Sequence, residues 1–327
     1  MRLRRVNVGI VGAGGWAAVH GQAYRRNKFA RIVAVSSRTE NHARSLARRV
    51  RAQRYYVGHD RLLEDEEIEA VSIALPPYLH PPYVIKAAEM RKHILCEKPL
   101  ALSVDEVERI YRAVNENNVK LQVGFNERFH QVNIKLRSIF DSEALGKPRA
   151  IFIRRLAYST PVGWRRSLRQ GGGVLNTVSI HDMDLMPWLT GCRVKNVFAS
   201  TGPSQFQRGV DDQAWVLMRF DKKQIGVSQA SWAHRIGMRS IEANLEEATI
   251  IGDYSAHRID ITRRGSGQTV RVEKTRTVDE EIQAYLDSVM RDTHPVTTEE
   301  EMKRVTRLLV ACRESMRRGS NISILGA

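Results

Sequence analysis

Val6-Asn7-Val8-Gly9-Ile10-Val11-Gly12-Ala13-Gly14-Gly15-Trp16-Ala17 is an apolar run that breaks into glycines and then takes up helical spacing. The run has the length of a strand, and Gly12 to Ala17 fits the spacing G-x-G-x-x-A. Gly12 permits a tight turn, Gly14 lets the backbone approach a pyrophosphate, and the small Ala17 lets the next helix pack close to the strand. Free amides and the positive dipole end of that helix receive the anion. The turn therefore marks a dinucleotide phosphate site, with Gly12, Ala13, Gly14, Gly15 and Trp16 as its residues.

Outward from this turn, strand-length apolar runs alternate with longer helical patterns. Arg31–Ser36 predicts a second strand and Thr39–Arg51 a helix. Further strands are predicted at Arg54–Val57, Ala70–Ala74, His93–Cys96 and Leu121–Phe125, with helices at Arg61–Glu66, Pro82–Met90 and Val104–Asn117. Nearly all-apolar strands in βαβ alternation mean a parallel sheet covered by helices on both faces, a Rossmann dinucleotide-binding domain over residues 1–125. After Phe125 the pattern changes. Helices at Val132–Phe140 and behind Gly171-Gly172-Gly173 flank a strand at Ala150–Arg155. Period-two segments then predict strands at Val194–Ser200, Ala214–Phe220, Gln224–Trp232, Ser240–Asn244, Ala248–Ile251 and Arg258–Thr262. Helices at Asp279–Arg291 and Thr298–Arg317 close the chain. An α/β domain over residues 126–327, with an antiparallel or mixed sheet and helices on one face, fits this half. Trp215, Val216, Val227 and Trp232 are more apolar residues than one buried face needs, so the outward face of that sheet is expected to meet another protein surface.

At 327 residues and 42% hydrophobic composition the chain suits two cored domains. No apolar run approaches the roughly 20 residues of a membrane span. The basic start resembles a signal peptide but runs straight into the glycine turn, so it reads as the start of a fold. Cys96, Cys192 and Cys312 are too few and too scattered for a metal cluster or a disulfide framework, which points to no bound metal and a cytoplasmic setting. The net charge of +16 favours anionic partners. It is spread as arginine pairs without a zinc-finger or RNA-binding signature, which argues against specific nucleic-acid recognition.

Strand two ends in Ser36-Ser37-Arg38-Thr39, with no carboxylate for a ribose 2′-hydroxyl. Arg38 offers a planar fork to a 2′-phosphate and Ser37 adds a donor, so NADP is preferred, with NAD possible. The other reading is a solvated Arg38 stacking on adenine without preference. Glu97-Lys98-Pro99 places a lysine at the end of a predicted strand, where it can exchange a proton with a substrate hydroxyl while hydride moves to or from nicotinamide. Pro99 narrows the backbone choices of Lys98 and opens a cis peptide at modest cost.

Taken together these motifs resemble the glucose–fructose oxidoreductase / inositol dehydrogenase / MocA family. The resemblance covers nearly the whole chain. It runs from the glycine turn through Ala70–Ala74 with Leu75, Pro76-Pro77-Tyr78-Leu79-His80, then Cys96-Glu97-Lys98-Pro99 and Val123-Gly124-Phe125-Asn126. It continues through Trp164-Arg165 and the triple glycine to His181-Asp182-Met183-Asp184. It implies a Rossmann domain followed by an α/β domain with a large, mostly antiparallel, open-faced sheet, through which members pair as dimers or tetramers. It also implies an NAD(P)-dependent oxidoreductase acting on a hydroxyl or carbonyl of a sugar, cyclitol or related compound. Lys98 matches the catalytic lysine and His181 the catalytic histidine. Leu75, Pro76, His80 and Glu97 fall at cofactor-binding positions, and Asn126, Glu127, Arg155, Trp164, Arg165, Thr177 and Asp184 at substrate positions.

The chain departs from this family at Thr177, where the usual partner of the histidine is an aspartate. Threonine can donate a hydrogen bond to His181 or the substrate but cannot stabilise an imidazolium with charge. Arg154-Arg155, Arg165-Arg166 and Arg169 suggest an anionic group on the substrate, or are surface arginines in an arginine-rich chain. Two rival readings stay open: a dinucleotide-binding regulatory protein without turnover, and a transient redox step serving glycoside cleavage.

Overall fold

The apolar run folds as β1 (Val6–Val11), and the glycine turn opens α1 (Gly15–Arg26) in a computed structural model that describes residues 4–324. The alternation continues as β2 (Ala30–Ser37), α2 (Glu40–Val50), β3 (Arg54–Val57), α3 (Asp60–Leu63), β4 (Ala70–Ile73), α4 (His80–Glu89), β5 (His93–Cys96), α5 (Val104–Glu116) and β6 (Leu121–Val123). All pairs are parallel, in the order β3-β2-β1-β4-β5-β6. The chain runs outward from β1 in one direction to β3, then returns and runs the other way from β4. The junction of β1 and β4 is thus the point where open α/β sheets bind ligands beyond their strand ends. Val8, Ile10, Val35, Val71, Ile73, Ile94 and Leu95 are fully buried, as strands covered on both faces require.

A 3-10 turn, Asn126–Phe129, leads into α6 (Gln131–Asp141) and β7 (Pro148–Tyr158). A π-turn at Leu175–Ser179 runs directly into α7 (Ile180–Thr190). Then follow β8 (Val194–Ser200), β9 (Gln213–Phe220), β10 (Ile225–Ser231), β11 (Ala233–Leu245), β12 (Thr249–Asp253), β13 (Arg258–Arg263) and β14 (Ser266–Arg271). The chain closes with α8 (Thr277–Arg291), α9 (Glu299–Arg318) and β15 (Ile322–Ser323). The nine-stranded sheet has the order β14-β13-β12-β11-β7-β10-β9-β8-β15, and only β7–β10 pair in parallel.

One face of this sheet carries Ala214, Val216, Met218 and Phe220 in the core, while Trp215 and Leu217 on the opposite face are each 45% exposed. Phe198, Ile225 and Ile251 are also exposed large hydrophobics. Of the four apolar residues counted as more than one buried face needs, Trp215 faces outward and Val227 is half-buried. Val216 and Trp232 are buried instead: Val216 falls one residue out of phase with Trp215, and Trp232 lies just past the end of β10.

Close contacts divide the chain into two compact units, one of residues up to Asn126 together with Arg276–Lys303, the other of Glu127–Thr275 with the C-terminal remainder. The first unit takes in Arg276–Lys303 as well as the residues up to Asn126, so the second unit is interrupted in sequence. The reason is α8. Its Val278, Ile282, Tyr285 and Leu286 belong to one buried cluster with Ala17, Tyr24, Leu46 and Val50. Arg26 pairs with Asp279, and Asn27 donates to Gln283 at 2.9 Å.

Candidate functional site

Gly12 cannot be replaced for two reasons: its φ is +113°, and a Cβ there would meet the carbonyl oxygen of Ala74 at 2.5 Å. Gly14 and Gly15 differ, since a Cβ on either would meet nothing within 4 Å. Packing does not demand those two glycines. They leave the start of α1 bare, with no capping side chain and no acidic residue in its first turn. Uncapped amides, a positive dipole end and open space suit a pyrophosphate. Trp16, half-buried, follows in the first turn of the helix.

β2 ends at Ser37, which is buried, and the exposed Arg38 follows. Glu40, the nearest carboxylate, is engaged by Arg44 at 3.1 Å and by the Tyr55 hydroxyl at 3.0 Å. Leu75 and Pro76 follow β4. The ring of His80, fully buried, lies between backbone carbonyls, Nδ1 at 2.7 Å from Pro99 O and Nε2 at 2.9 Å from Leu75 O. Burial pushes this imidazole below its ordinary value, against the pull of both carbonyls. His80 therefore acts on the chain around it.

Lys98 stands two residues past the end of β5, half-buried, with a cis peptide to Pro99. Its N–H donates to Glu97 Oε2 at 3.3 Å. Glu97 Oε1 accepts from His20 Nε2 at 2.9 Å, and His20 Nδ1 is 2.6 Å from Ser72 Oγ. His20 and Ser72 are fully buried. Gly124 makes room for this chain, because a Cβ there would stand 3.3 Å from Glu97 Oε1.

In the second unit every residue of α7 from Ile180 to Pro187 is buried, His181 among them. Its carboxylates are held by arginines. Asp184 takes a two-pronged pair from Arg128, Nε to Oδ2 at 2.8 Å and Nη2 to Oδ1 at 2.5 Å. Asp182 accepts from Arg155 Nε at 2.5 Å and from Ser228 Oγ at 2.6 Å. Arg155 also meets Glu127 Oε2 at 3.0 Å, while Arg239 donates to Glu127 Oε1 at 2.7 Å. Burial alone would push the Glu127 carboxyl up; the charges of Arg155, Arg239 and His181 outweigh it and hold it well below the usual carboxylate range. A negative charge thus acts on His181 from Glu127, although position 177 carries none. Arg155 is bound to Glu127 and Asp182, and Asp184 to Arg128, so Arg155, expected at a substrate position or else on the surface, is an interior residue whose charge is already paired.

The Thr177 hydroxyl donates to Gly173 O at 2.7 Å, so its one proton is spent on its own helix. Asn176 donates to Gly172 O and accepts from Arg313. The turn before α7 is a π-turn, so Thr177 and His181 are not related by plain α-helical spacing. Its start is fixed by Asp211, which accepts from Leu175 N–H at 2.7 Å. Trp164 and Arg165 are half-buried, with the guanidinium 5.9 Å from the indole. Their carbonyls crowd Gly172, where a Cβ would lie 2.4 Å from Arg165 O. Asn126, nearly buried, begins the 3-10 turn. Sequence reasoning missed His20, Asp182, Asp211 and Arg239. A histidine inside an otherwise apolar helix face was the available signal for the first; the others depend on pairing across long sequence separations.

Two family descriptions match the chain: "Oxidoreductase family, NAD-binding Rossmann fold" over residues 6–125, and "GFO/IDH/MocA C-terminal domain" over residues 133–252. The chain belongs to the Gfo/Idh/MocA oxidoreductase family. Among its relatives, scyllo-inositol 2-dehydrogenase (NAD(+)) of Bacillus subtilis is 27% identical over 306 residues, 90% of this chain and 89% of that enzyme. The uncharacterized oxidoreductase YrbE of the same organism is 31% identical over 229 residues; the match takes in 68% of this chain and 66% of YrbE, just under two thirds of its length. In three dimensions the chain is similar to levoglucosan dehydrogenase in complex with NADH and levoglucosan, with a TM-score of 0.91 at 21% identity over 98% of this chain and 100% of that one. At that identity the likeness concerns the fold. This family member is an oxidoreductase with a Rossmann NAD-binding domain. No helix among the described residues is long and apolar enough to cross a membrane.

Proposed function

We propose that this oxidoreductase interconverts a hydroxyl and a carbonyl on a cyclitol, sugar or related polyhydroxylated substrate, with Lys98 and His181 as its acid–base residues. The observation that carries the reading is the pairing, in one sheet, of a bare helix start after β1 with a lysine at the end of β5, on the two sides of the strand-order reversal. Gly12 to Trp16 would hold the pyrophosphate. Ser37 and Arg38 would hold the adenosine ribose, and the absence of a free carboxylate there supports NADP over NAD. When bound, the nicotinamide supplies the hydride acceptor or donor. Lys98 binds the reacting oxygen and shares its proton. His181 relays a proton near neutral pH, with the Glu127 charge in place of the aspartate that Thr177 replaces. Asn126, Trp164 and Arg165 orient the substrate. The exposed Phe198, Trp215, Leu217 and Ile225 support a homodimer or homotetramer through the open sheet face. Cys96, Cys192 and Cys312, all free and buried, suit a reducing cytoplasm.

The test is nicotinamide absorbance with a panel of inositols, sugars and sugar acids. Turnover is expected with at least one polyol, with NADP favoured, and Lys98→Met should abolish it while leaving dinucleotide affinity largely intact. Full activity of Lys98→Met sinks the mechanism.

A further inference from the structure

We propose that His20 and His80 form a brace for Lys98, one holding the residue before it and the other the residue after it. The inference rests on the reading of Lys98 as the proton-exchanging residue. On one side, His20 Nε2 donates to Glu97 Oε1 at 2.9 Å, and the other oxygen of that carboxylate receives the Lys98 N–H at 3.3 Å. Behind the ring, Ser72 Oγ meets Nδ1 at 2.6 Å and the Trp16 ring stands edge-on at 6.2 Å. On the other side, the His80 ring lies between two carbonyls, Nδ1 2.7 Å from Pro99 O and Nε2 2.9 Å from Leu75 O, and the single N–H of its neutral form, placed on Nδ1, donates to the nearer, Pro99 O.

The anchors lie in α1, β4 and α4, which are regular elements, while Glu97, Lys98 and Pro99 lie in a loop. Both imidazoles and Ser72 are fully buried. Burying two imidazoles costs desolvation that an apolar side chain of similar size would avoid. Mere filling of the core does not explain why both rings converge on the neighbours of a single residue. Nor does it explain Gly124, which leaves the Glu97 carboxylate room to turn back on the Lys98 amide. Holding a proton-transfer group to within a fraction of an ångström is what such supporting contacts supply. His20, Ser72 and His80 are positioning residues, acting through Glu97 and Pro99.

The test uses the full chain with His20→Phe, which keeps bulk and removes the donor, His20→Gln, which keeps a donor at similar reach, and Ser72→Ala. Three quantities are read: turnover, dinucleotide affinity by NAD(P)H fluorescence, and the rate at which acetic anhydride acetylates Lys98 relative to the other lysines. The last is read by mass spectrometry without cofactor or substrate. His20→Phe is expected to lower kcat about 10–100-fold, the scale of a misplaced reacting group, with KM and dinucleotide Kd within about threefold. Its relative Lys98 acetylation rate should change at least about threefold, and His20→Gln should return both readings toward wild type. Ser72→Ala should move both the same way by less, and it carries the test if His20→Phe fails to fold. Unchanged Lys98 acetylation in the folded variants overturns the brace, whether or not any polyol is a substrate. A kcat loss as large in His20→Gln as in His20→Phe also overturns it. If the wild type turns over no polyol while Lys98 acetylation responds as stated, the brace stands and the substrate reading falls.

Discussion

Mild acid should loosen the second unit at the first turn of α6. His130 is the N-cap of that helix, and its Nδ1 accepts the Val132 N–H at 3.2 Å. The ring is 7% exposed, stacked on His257 with centroids 5.4 Å apart and set edge-on to Tyr254 at 4.9 Å. Burial pushes the imidazole down from 6.5 to about 4; Glu127 opposes this, and the charges of Arg239, His257 and Arg155 add to it. The hydrogen bond agrees with that direction, because a nitrogen that accepts an amide proton cannot carry one of its own. The folded value lies below the unfolded one, so the unfolded chain takes up the proton first as pH falls. The stabilising contribution is therefore complete above about 6.5 and is lost on the way down to about 4. At about 1.4 kcal/mol per pH unit, the loss across that window is on the order of 3 kcal/mol. His130→Asn keeps a good capping acceptor and removes the titration. Urea unfolding followed by circular dichroism between pH 4 and 7.5 reads the effect. The stability of the variant relative to wild type should rise by on the order of 3 kcal/mol as pH falls through this window, whatever it loses in packing at pH 7. Parallel curves for the two proteins would show that His130 takes up no proton on unfolding in this window.

Arg38→Ala should cost roughly 1–3 kcal/mol of NADP affinity and little of NAD affinity; equal losses in fluorescence titrations would mean that Arg38 only stacks. Asp184→Asn strands the Arg128 guanidinium in the interior and should cost about 3–5 kcal/mol in urea unfolding; a near-neutral result would show the pair to be solvated. Trp215→Glu with Leu217→Lys should turn an oligomer into a monomer by light scattering, and a wild-type monomer at micromolar concentration would refute the sheet-face interface. Thr177→Asp should preserve or raise activity on a neutral polyol and raise KM strongly for an anionic one; no change for either would detach position 177 from the site.

The first unit was legible because its signals are local. Strands β1 to β6 are short apolar runs between helical patterns, and Gly12 owes its identity to a turn a few residues long. β11 is legible only from Ser240, because residues 235–239 are all exposed and carry no alternation. β14 has almost no apolar side chains to betray it. The site in the second unit was read as a set of residue types, and that gave its members without their partners. Whether Arg155 faces solvent or Asp182 depends on the pairing of β7 with its neighbours and on the π-turn before α7. Neither leaves a mark in the spacing of the sequence. The same holds for α8, whose amphipathic pattern announces a buried face but not which sheet it covers.

The return of α8 sets an order of events during synthesis. The buried cluster around Tyr24 and Ala17 lacks Ile282, Tyr285 and Leu286 until the whole stretch 127–275 has been translated. At about 5–20 residues per second, the nucleotide-binding unit waits on the order of ten seconds with one flank of α1 uncovered. Its six strands can pair in that interval, yet the apolar side of α1 stays available to whatever meets it first, a chaperone or another nascent chain. A chain truncated after residue 275 would keep every glycine of the phosphate turn and still be left in that half-finished state.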